Sequence, residues 1–202
     1  MVLKKKATEP IDTLDIDKEG GGGSRQLQGT QGIIIAAVAV GLALFAIYSN
    51  SFMNIQEIYR NSIFLAFVFV LGFLVYPATK YGDRNKFSVL DAIFAIVGLS
   101  GALYIIINYS TIHSERMSHP IIWDYVFAII TILAMLEVAR RSVGIFIPLL
   151  TLGAIVYALF GPYFPSVLGH AGFSLERLLF RFYMTTEGIF GMTLSIATTY
   201  IV

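Results

Sequence analysis

Long apolar runs with few charges constrain this chain more than any other feature. Five runs stand between polar or glycine- and proline-containing turns, at residues 32–48, 62–76, 89–109, 121–138 and 145–160. A helix needs roughly 17–25 apolar residues to cross a bilayer; the third and fourth runs meet this length comfortably, whereas the second and fifth need flanking residues. The runs predict an all-α integral membrane protein with five complete transmembrane helices and a sixth, truncated helix that begins near residue 190.

The overall composition agrees with a membrane protein. Hydrophobic residues make up 56% of the chain and charged residues only 13%, whereas soluble domains carry roughly 25% charged residues. The net charge is +1 and the basic residues are dispersed, which argues against a nucleic-acid partner. The absence of cysteine excludes disulfides, thiolate metal sites and thiol nucleophiles.

A polar segment, residues 1–31, precedes the first apolar run. It contains three consecutive lysines (residues 4–6), several acidic residues and four consecutive glycines (residues 20–23). Such a composition predicts a disordered cytoplasmic tail. The lysines could instead contact anionic lipid, but the acidic residues cancel much of their charge. No cleavable signal peptide is expected, because the apolar run begins too late.

The distribution of Lys and Arg predicts the orientation. Ten of these residues fall in the tail and the second and fourth loops, and four fall in the first, third and fifth loops. Positive residues collect on the cytoplasmic side of membrane proteins. The N-terminus is therefore predicted to be cytoplasmic and the loop at residues 161–189 to lie outside.

Two aspartates stand at the starts of apolar runs. Ser88 and Asp91 form a Ser-x-x-Asp capping pattern, so Asp91 is interpreted as a capping residue, with an intramembrane functional acid as the alternative. Asp124 follows Pro120, and its default interpretation is a complement to the helix dipole. A contact with a substrate or partner at the outer face is the second interpretation of Asp124.

The end of the fourth run carries a charged turn. Arg140 and Arg141 follow Glu137 by three and four residues, a spacing at which one carboxylate can pair with both guanidinium groups. The simplest interpretation is a charged helix end that also anchors the helix by the positive-inside rule; pairing with a neighbouring module is the alternative. Pro148 either bends the entry to the fifth helix or stands in its first turn.

Small residues recur at four-residue spacing in the apolar runs, for example Gly98 with Ala102. This spacing permits the close approach of neighbouring helices.

Residues 174–183 differ from the apolar runs because they are amphipathic. One helical face carries Leu175, Leu178, Leu179 and Phe182, and the other carries Glu176, Arg177 and Arg181. Ten residues are too few to span a bilayer, so an interfacial helix on the outer membrane surface is predicted. Its polar face would meet a soluble partner or water.

No pattern typical of an enzyme is present in the sequence. The three histidines stand in loops without zinc-binding spacing, no serine has the context of a nucleophile elbow, and no glycine-rich loop ends in Gly-Lys-Ser/Thr. Neither catalysis nor a bound cofactor is predicted.

Four stretches carry a resemblance to a known family. They read Leu-Glu-Val-Ala-Arg-Arg-Ser-Val-Gly at 136–144, Tyr-Ala-Leu-Phe-Gly-Pro-Tyr-Phe-Pro at 157–165, His-Ala-Gly-Phe-Ser-Leu-Glu-Arg-Leu at 170–178 and Tyr-Met-Thr-Thr-Glu-Gly-Ile-Phe-Gly-Met at 183–192. Together they resemble the fused permeases of tripartite ATP-independent periplasmic (TRAP) transporters, in the branch that works with TAXI-type binding proteins. The resemblance is densest over residues 137–200 and looser, mostly in topology, upstream.

The resemblance implies a division of the chain. Residues 32–141 would form a four-helix region like the small subunit, residues 142–189 a linking helix and outer amphipathic helix, and residues 190–202 the truncated start of the large transport subunit. The sequence departs from the expected pattern at 192–195, where Met-Thr-Leu-Ser replaces a proline- and glycine-containing stretch. The start of the sixth helix is therefore expected to be less kinked than in relatives.

The resemblance also implies a function. The chain would supply the scaffold of a secondary importer in the cytoplasmic membrane of a bacterium or archaeon. A periplasmic TAXI-type protein would deliver an organic acid or amino acid, and a sodium or proton gradient would drive entry through sites beyond Val202. The partners would be that binding protein, the rest of the large subunit and the lipid bilayer; a stand-alone structural or interaction protein of the membrane is the alternative. Residues expected between modules or in structural roles are Glu137, Arg140, Arg141, Pro148, Arg177, Arg181, Glu187, Gly188 and Gly191.

Overall fold

The computed structural model describes residue 25 and residues 29–52, 55–78, 87–117, 119–165, 167 and 169–201, and in this part of the chain all regular elements are helical. The N-terminal region predicted to be disordered lies outside the described residues, except for Arg25 and residues 29–31. The helices are α1 (Thr30–Ser51), α2 (Glu57–Val75), α3 (Val89–Ser114), α4 (Ile122–Ser142), α5 (Phe146–Leu159), α6 (Leu175–Leu179) and α7 (Met192–Ile196). A 3₁₀ turn (Gly161–Tyr163) follows α5, and π-helical turns (Phe180–Met184 and Ala197–Ile201) continue α6 and α7.

The first four helices are long and apolar enough to cross a membrane. They confirm the prediction of an all-α chain with membrane-spanning character. The fifth run forms a helix of only 14 residues, which at about 1.5 Å per residue is roughly 21 Å long. The hydrocarbon core of a bilayer is roughly 30 Å thick. The predicted count of five complete helices and a truncated sixth therefore stays a prediction.

The bundle is arranged around α3, which packs extensively on α2 and also on α4, while α1 packs at the side of α2. The core between them is apolar and aromatic. The C-terminal segment contributes to this same core through Leu179, Tyr183, Met184 and Phe190. The helices α2, α3 and α4 and the segment after α5 thus share one hydrophobic core.

Small residues allow α3 to approach its neighbours closely. A Cβ atom on Gly98 would lie 2.8 Å from Cγ of Phe69 on α2, and one on Gly101 would lie 2.1 Å from Oγ1 of Thr131 on α4. Ala102 is fully buried. The predicted use of Gly98 and Ala102 for close helix packing is confirmed, because a Cβ atom at Gly98 would overlap Phe69 and Ala102 has no exposed surface.

The amphipathic segment after α5 packs differently from its prediction. Leu178 and Leu179 are buried as expected, but Leu175 is 53% exposed and Tyr183 is buried in its place. The turns after Leu179 are π-helical and wider than those of an α-helix. They alter the angle between successive side chains, so that Tyr183 points into the core. The predicted apolar face, with Leu175 at one end and Phe182 at the other, was therefore wrong in part.

Tyr183 shows how deeply this segment enters the bundle. Its hydroxyl donates a 2.6 Å hydrogen bond to the carbonyl oxygen of Gly101, which is close to the middle of α3. Burial raises the pKa of the Tyr183 phenol above its ordinary value, so the hydroxyl keeps its proton and remains a donor. The end of this segment packs into the bundle, and the placement of its helix on the outer membrane surface stays a prediction.

Candidate functional site

Five charged side chains converge at one end of the bundle, where α2 and α4 end and α3 begins. We call them the inner cluster: Arg25, Asp91, Glu137, Arg140 and Arg141. Asp91 stands in the first turn of α3. Glu137, Arg140 and Arg141 stand in the last turns of α4, and Arg25 precedes α1. The backbone N–H of Ser88 donates to Oδ2 of Asp91 at 3.2 Å, which confirms the predicted capping role of Asp91.

Asp91 is the centre of the inner cluster. Its Oδ1 lies 2.6 Å from Nη1 of Arg141, and its Oδ2 lies 2.5 Å from Nη2 of Arg25. The side chains of Asp91 and Arg141 are fully buried, and that of Arg25 is 3% exposed. The Arg141 guanidinium also lies 5.0 Å from the ring centroids of Phe73 and Phe94, a cation–π arrangement. Asp91 thus caps α3 and neutralises two buried cations.

Glu137 forms the second half of the inner cluster. Its carboxylate accepts two hydrogen bonds from Arg140, at 2.8 and 2.7 Å, and one from Nε of Arg141 at 2.8 Å. The predicted pairing of Glu137 with both arginines is confirmed. Because Arg141 also binds Asp91, it connects the two carboxylates into one network.

The three arginines also satisfy the end of α2. The last four carbonyl groups of a helix have no partner within it, and an unpaired carbonyl is expensive in an apolar environment. The Arg25 guanidinium donates to the Leu74 carbonyl and the Arg25 backbone N–H to that of Val75, both at 3.0 Å. Just beyond the helix, the Arg141 side chain donates to the carbonyl of Tyr76 at 3.4 Å and the Arg140 side chain to that of Ala78 at 3.1 Å. The inner cluster therefore ties α2, α3, α4 and Arg25 together.

A second, smaller group lies at the opposite end of α3 and α4. Asp124 is fully buried; its Oδ2 accepts the backbone N–H of Ile121 at 2.9 Å, and its Oδ1 accepts the hydroxyl of Tyr104 at 2.5 Å. Nη1 of Arg116 lies 3.4 Å from the same Oδ1. These contacts fit the interpretation of Asp124 as a helix-end residue, because its carboxylate is occupied by groups of this chain.

A polar seam joins the C-terminal segment to α1 and α2. Asn61 is fully buried and donates to the carbonyl of Phe190 at 2.8 Å, and it accepts from the hydroxyl of Thr198 at 3.3 Å. Arg60 donates to Oγ of Ser195 at 2.8 Å. Sequence reasoning missed this seam, although a lone asparagine beside an apolar run was a signal that could have indicated a buried hydrogen bond.

The remaining predicted residues lie apart from the inner cluster. Pro148 is buried in the first turn of α5, so the alternative of a kinked helix entry is not needed. Arg181 and Glu187 lie 3.6 Å apart on the surface, and Arg177 is exposed. Gly188 and Gly191 are packed tightly against backbone: a Cβ atom would lie 2.3 Å from the Phe182 carbonyl oxygen and 2.5 Å from that of Thr186, respectively.

The charged groups described above are paired with one another within the chain. Among the residues that the structure describes, no three His, Asp or Glu side chains are grouped as metal ligands. The carboxylates of Asp91, Glu137 and Asp124 are each paired with arginine. The Asp91–Arg141 pair holds α3 and α4 in fixed positions, because separating its members would leave a charge unpaired in a low-dielectric environment.

Comparison of the chain with family models, curated proteins and solved structures found no match.

Proposed function

We propose that this chain is the scaffold part of a secondary importer of the TRAP type, of the branch that uses TAXI-type binding proteins. The observation that carries the proposal is the inner cluster. Glu137, Arg140 and Arg141 belong to the first of the four stretches that resemble the family. The two arginines connect α4 to Asp91 of α3 and to the backbone carbonyls that follow α2. In this proposal, the motif stabilises the four-helix region at the point where the chain continues into the large subunit.

The proposed topology follows the charge distribution. The four long helices cross the membrane, the N-terminus and inner cluster face the cytoplasm, and the Arg116–Asp124 pair faces outward. The helix α5 forms a fifth crossing, and the segment from residue 190 begins the next part of the permease. The membrane is the cytoplasmic membrane of a bacterium or archaeon.

The chemistry of the described residues favours support over transport. A coupling ion or anionic substrate needs polar groups that become accessible, whereas Asp91 and Asp124 are fully buried and paired with arginine. The substrate and sodium or proton sites would therefore belong to the rest of the large subunit. This chain would stabilise that subunit in the bilayer and help to receive the periplasmic binding protein with its organic acid or amino acid.

Deletion of the gene in its own organism tests the proposal. We expect the loss of gradient-dependent uptake of at least one labelled organic acid or amino acid, restored by the wild-type gene. A neighbouring gene for a secreted binding protein would identify the substrates to test first. Unchanged uptake of every acid tested, together with normal insertion of the chain in the membrane, would overturn the proposal in favour of a stand-alone structural protein.

A further inference from the structure

The stretch between Arg141 and Glu176 is uncharged. Residues 142–175 contain no Asp, Glu, Lys or Arg, although they include both α5 and the connection that follows it. We call residues 160–165, 167 and 169–173 the aromatic loop. Its large side chains are exposed: Phe160 by 51%, Tyr163 by 85%, Phe164 by 37%, Val167 by 93% and Phe173 by 42%. Several large apolar side chains exposed within one short segment indicate an interaction surface.

The backbone of the aromatic loop is hydrogen-bonded internally. The carbonyl of Gly161 accepts from the N–H groups of Phe164 and His170, both at 3.3 Å. The N–H of Gly169 donates to Pro165 at 2.8 Å, and the N–H of Phe173 donates back to Ala158 on α5 at 2.9 Å. Irregular backbone tolerates a poorly hydrated environment only when its polar groups are satisfied in this way.

His170 holds the aromatic loop against the end of α5. Its Nδ1 accepts the backbone N–H of Gly172 at 3.0 Å, and its Nε2 donates to the carbonyl of Tyr157 at 3.1 Å. The ring packs directly on Gly161, where a Cβ atom would lie 2.2 Å from the imidazole. Both ring nitrogens are thereby used, and the exposed aromatic side chains are presented on a fixed framework.

The length of α5 indicates what this surface contacts. The helix is about 21 Å long, roughly 9 Å short of the hydrocarbon core of a bilayer. Its own exposed apolar side chains, such as Leu149, Leu150 and Val156, continue without a charge into the aromatic loop. We propose that the aromatic loop inserts into the interfacial layer of the lipid bilayer at the outer end of α5 and completes the apolar band that α5 begins. Tyrosine is enriched in this layer, and Tyr163 is the most exposed aromatic side chain of the loop.

Tryptophan fluorescence in lipid nanodiscs tests the inference, which rests on the membrane placement in the proposed function. Trp123 is the only native tryptophan, so a Trp123→Phe background allows single probes at Val167 in the aromatic loop and at Leu150 in α5. Both residues are exposed, so neither substitution disturbs the core. The lipids would be phosphatidylcholine and phosphatidylglycerol with bromine at a shallow or a deep acyl position.

For Val167→Trp we expect blue-shifted emission that is quenched mainly by the lipid brominated at the shallow position. For Leu150→Trp we expect the emission to be quenched mainly by the lipid brominated at the deep position. The inference is overturned if the Val167→Trp emission is red, quenched by aqueous acrylamide and unaffected by bromolipid while Leu150→Trp is still quenched by lipid. If bromolipid quenches neither probe, the proposed membrane crossing of α5 is wrong as well. The two results therefore distinguish a failure of the loop insertion from a failure of the membrane placement.

Discussion

Replacing Asp91 by alanine is expected to lower the free energy of unfolding by about 3–5 kcal/mol, the range typical of a broken buried ion pair. The substitution would leave Arg141 and Arg25 buried without their shared counter-charge. It would also remove the acceptor for the backbone N–H of Ser88. Unfolding of the purified protein in detergent, followed by circular dichroism during titration with a denaturing surfactant, measures this loss.

Two control variants separate the possible causes. Ser88→Ala removes the capping contacts of the Ser88 side chain, among them the 3.4 Å hydrogen bond from the N–H of Leu90, and leaves the ion pairs of Asp91 in place. It should cost about 0.5–2 kcal/mol, as the loss of a helix cap does. Glu115→Ala removes an exposed acid at the end of α3 and should cost almost nothing. If Ser88→Ala destabilised the protein as much as Asp91→Ala, the importance of Asp91 would lie in capping and the ion pairs would contribute little.

Replacing Glu137 by lysine is expected to have a similarly large effect, because it changes the sign of charge beside two arginines. Glu137 receives three hydrogen bonds from Arg140 and Arg141, and the introduced ammonium group would repel both. Asp91 would then be the only anion among four cations in the inner cluster. We expect a loss of about 3–5 kcal/mol, seen as low membrane yield and a lower unfolding temperature in detergent.

Glu115→Lys is the matched control for this substitution. It makes the same change of charge at an acidic residue that is exposed. A charge at an exposed position contributes little to the free energy of unfolding. Equal expression and equal thermal stability of the Glu137→Lys and Glu115→Lys proteins would show that Glu137 has no structural role as a charge partner.

The part of the inner cluster within α4 was predictable from the sequence, and the part between helices was not. Glu137, Arg140 and Arg141 are three and four residues apart on one helix, so their pairing follows from helical geometry. Arg25 and Asp91 are 66 residues apart, and the pairing of distant residues depends on how the helices pack. Arg25 also falls within the segment predicted as a tail, where composition gave no reason to expect a buried side chain.

The C-terminal segment shows a second limit of periodicity. A regular helical repeat correctly placed Leu178 and Leu179 in the core, because they stand in the α-helical part of the segment. The same repeat did not predict the burial of Tyr183, because this residue lies in π-helical turns that no sequence pattern had indicated. The contacts of Asn61 with Phe190 and Thr198 could not be predicted either, because they also join residues far apart in the sequence and depend on how the helices pack.

Thiol accessibility tests the central claim most directly, which is that the bundle spans a membrane with its inner cluster on the cytoplasmic side. The chain has no native cysteine, so single cysteines can be placed at Glu115 between α3 and α4, at Val143 between α4 and α5, and at the buried Ala102. In intact cells with an impermeant maleimide, we predict that Glu115→Cys is labelled and that Val143→Cys is labelled only after permeabilisation. Ala102→Cys should react only after denaturation. Equal labelling of Glu115→Cys and Val143→Cys in intact cells would contradict the account.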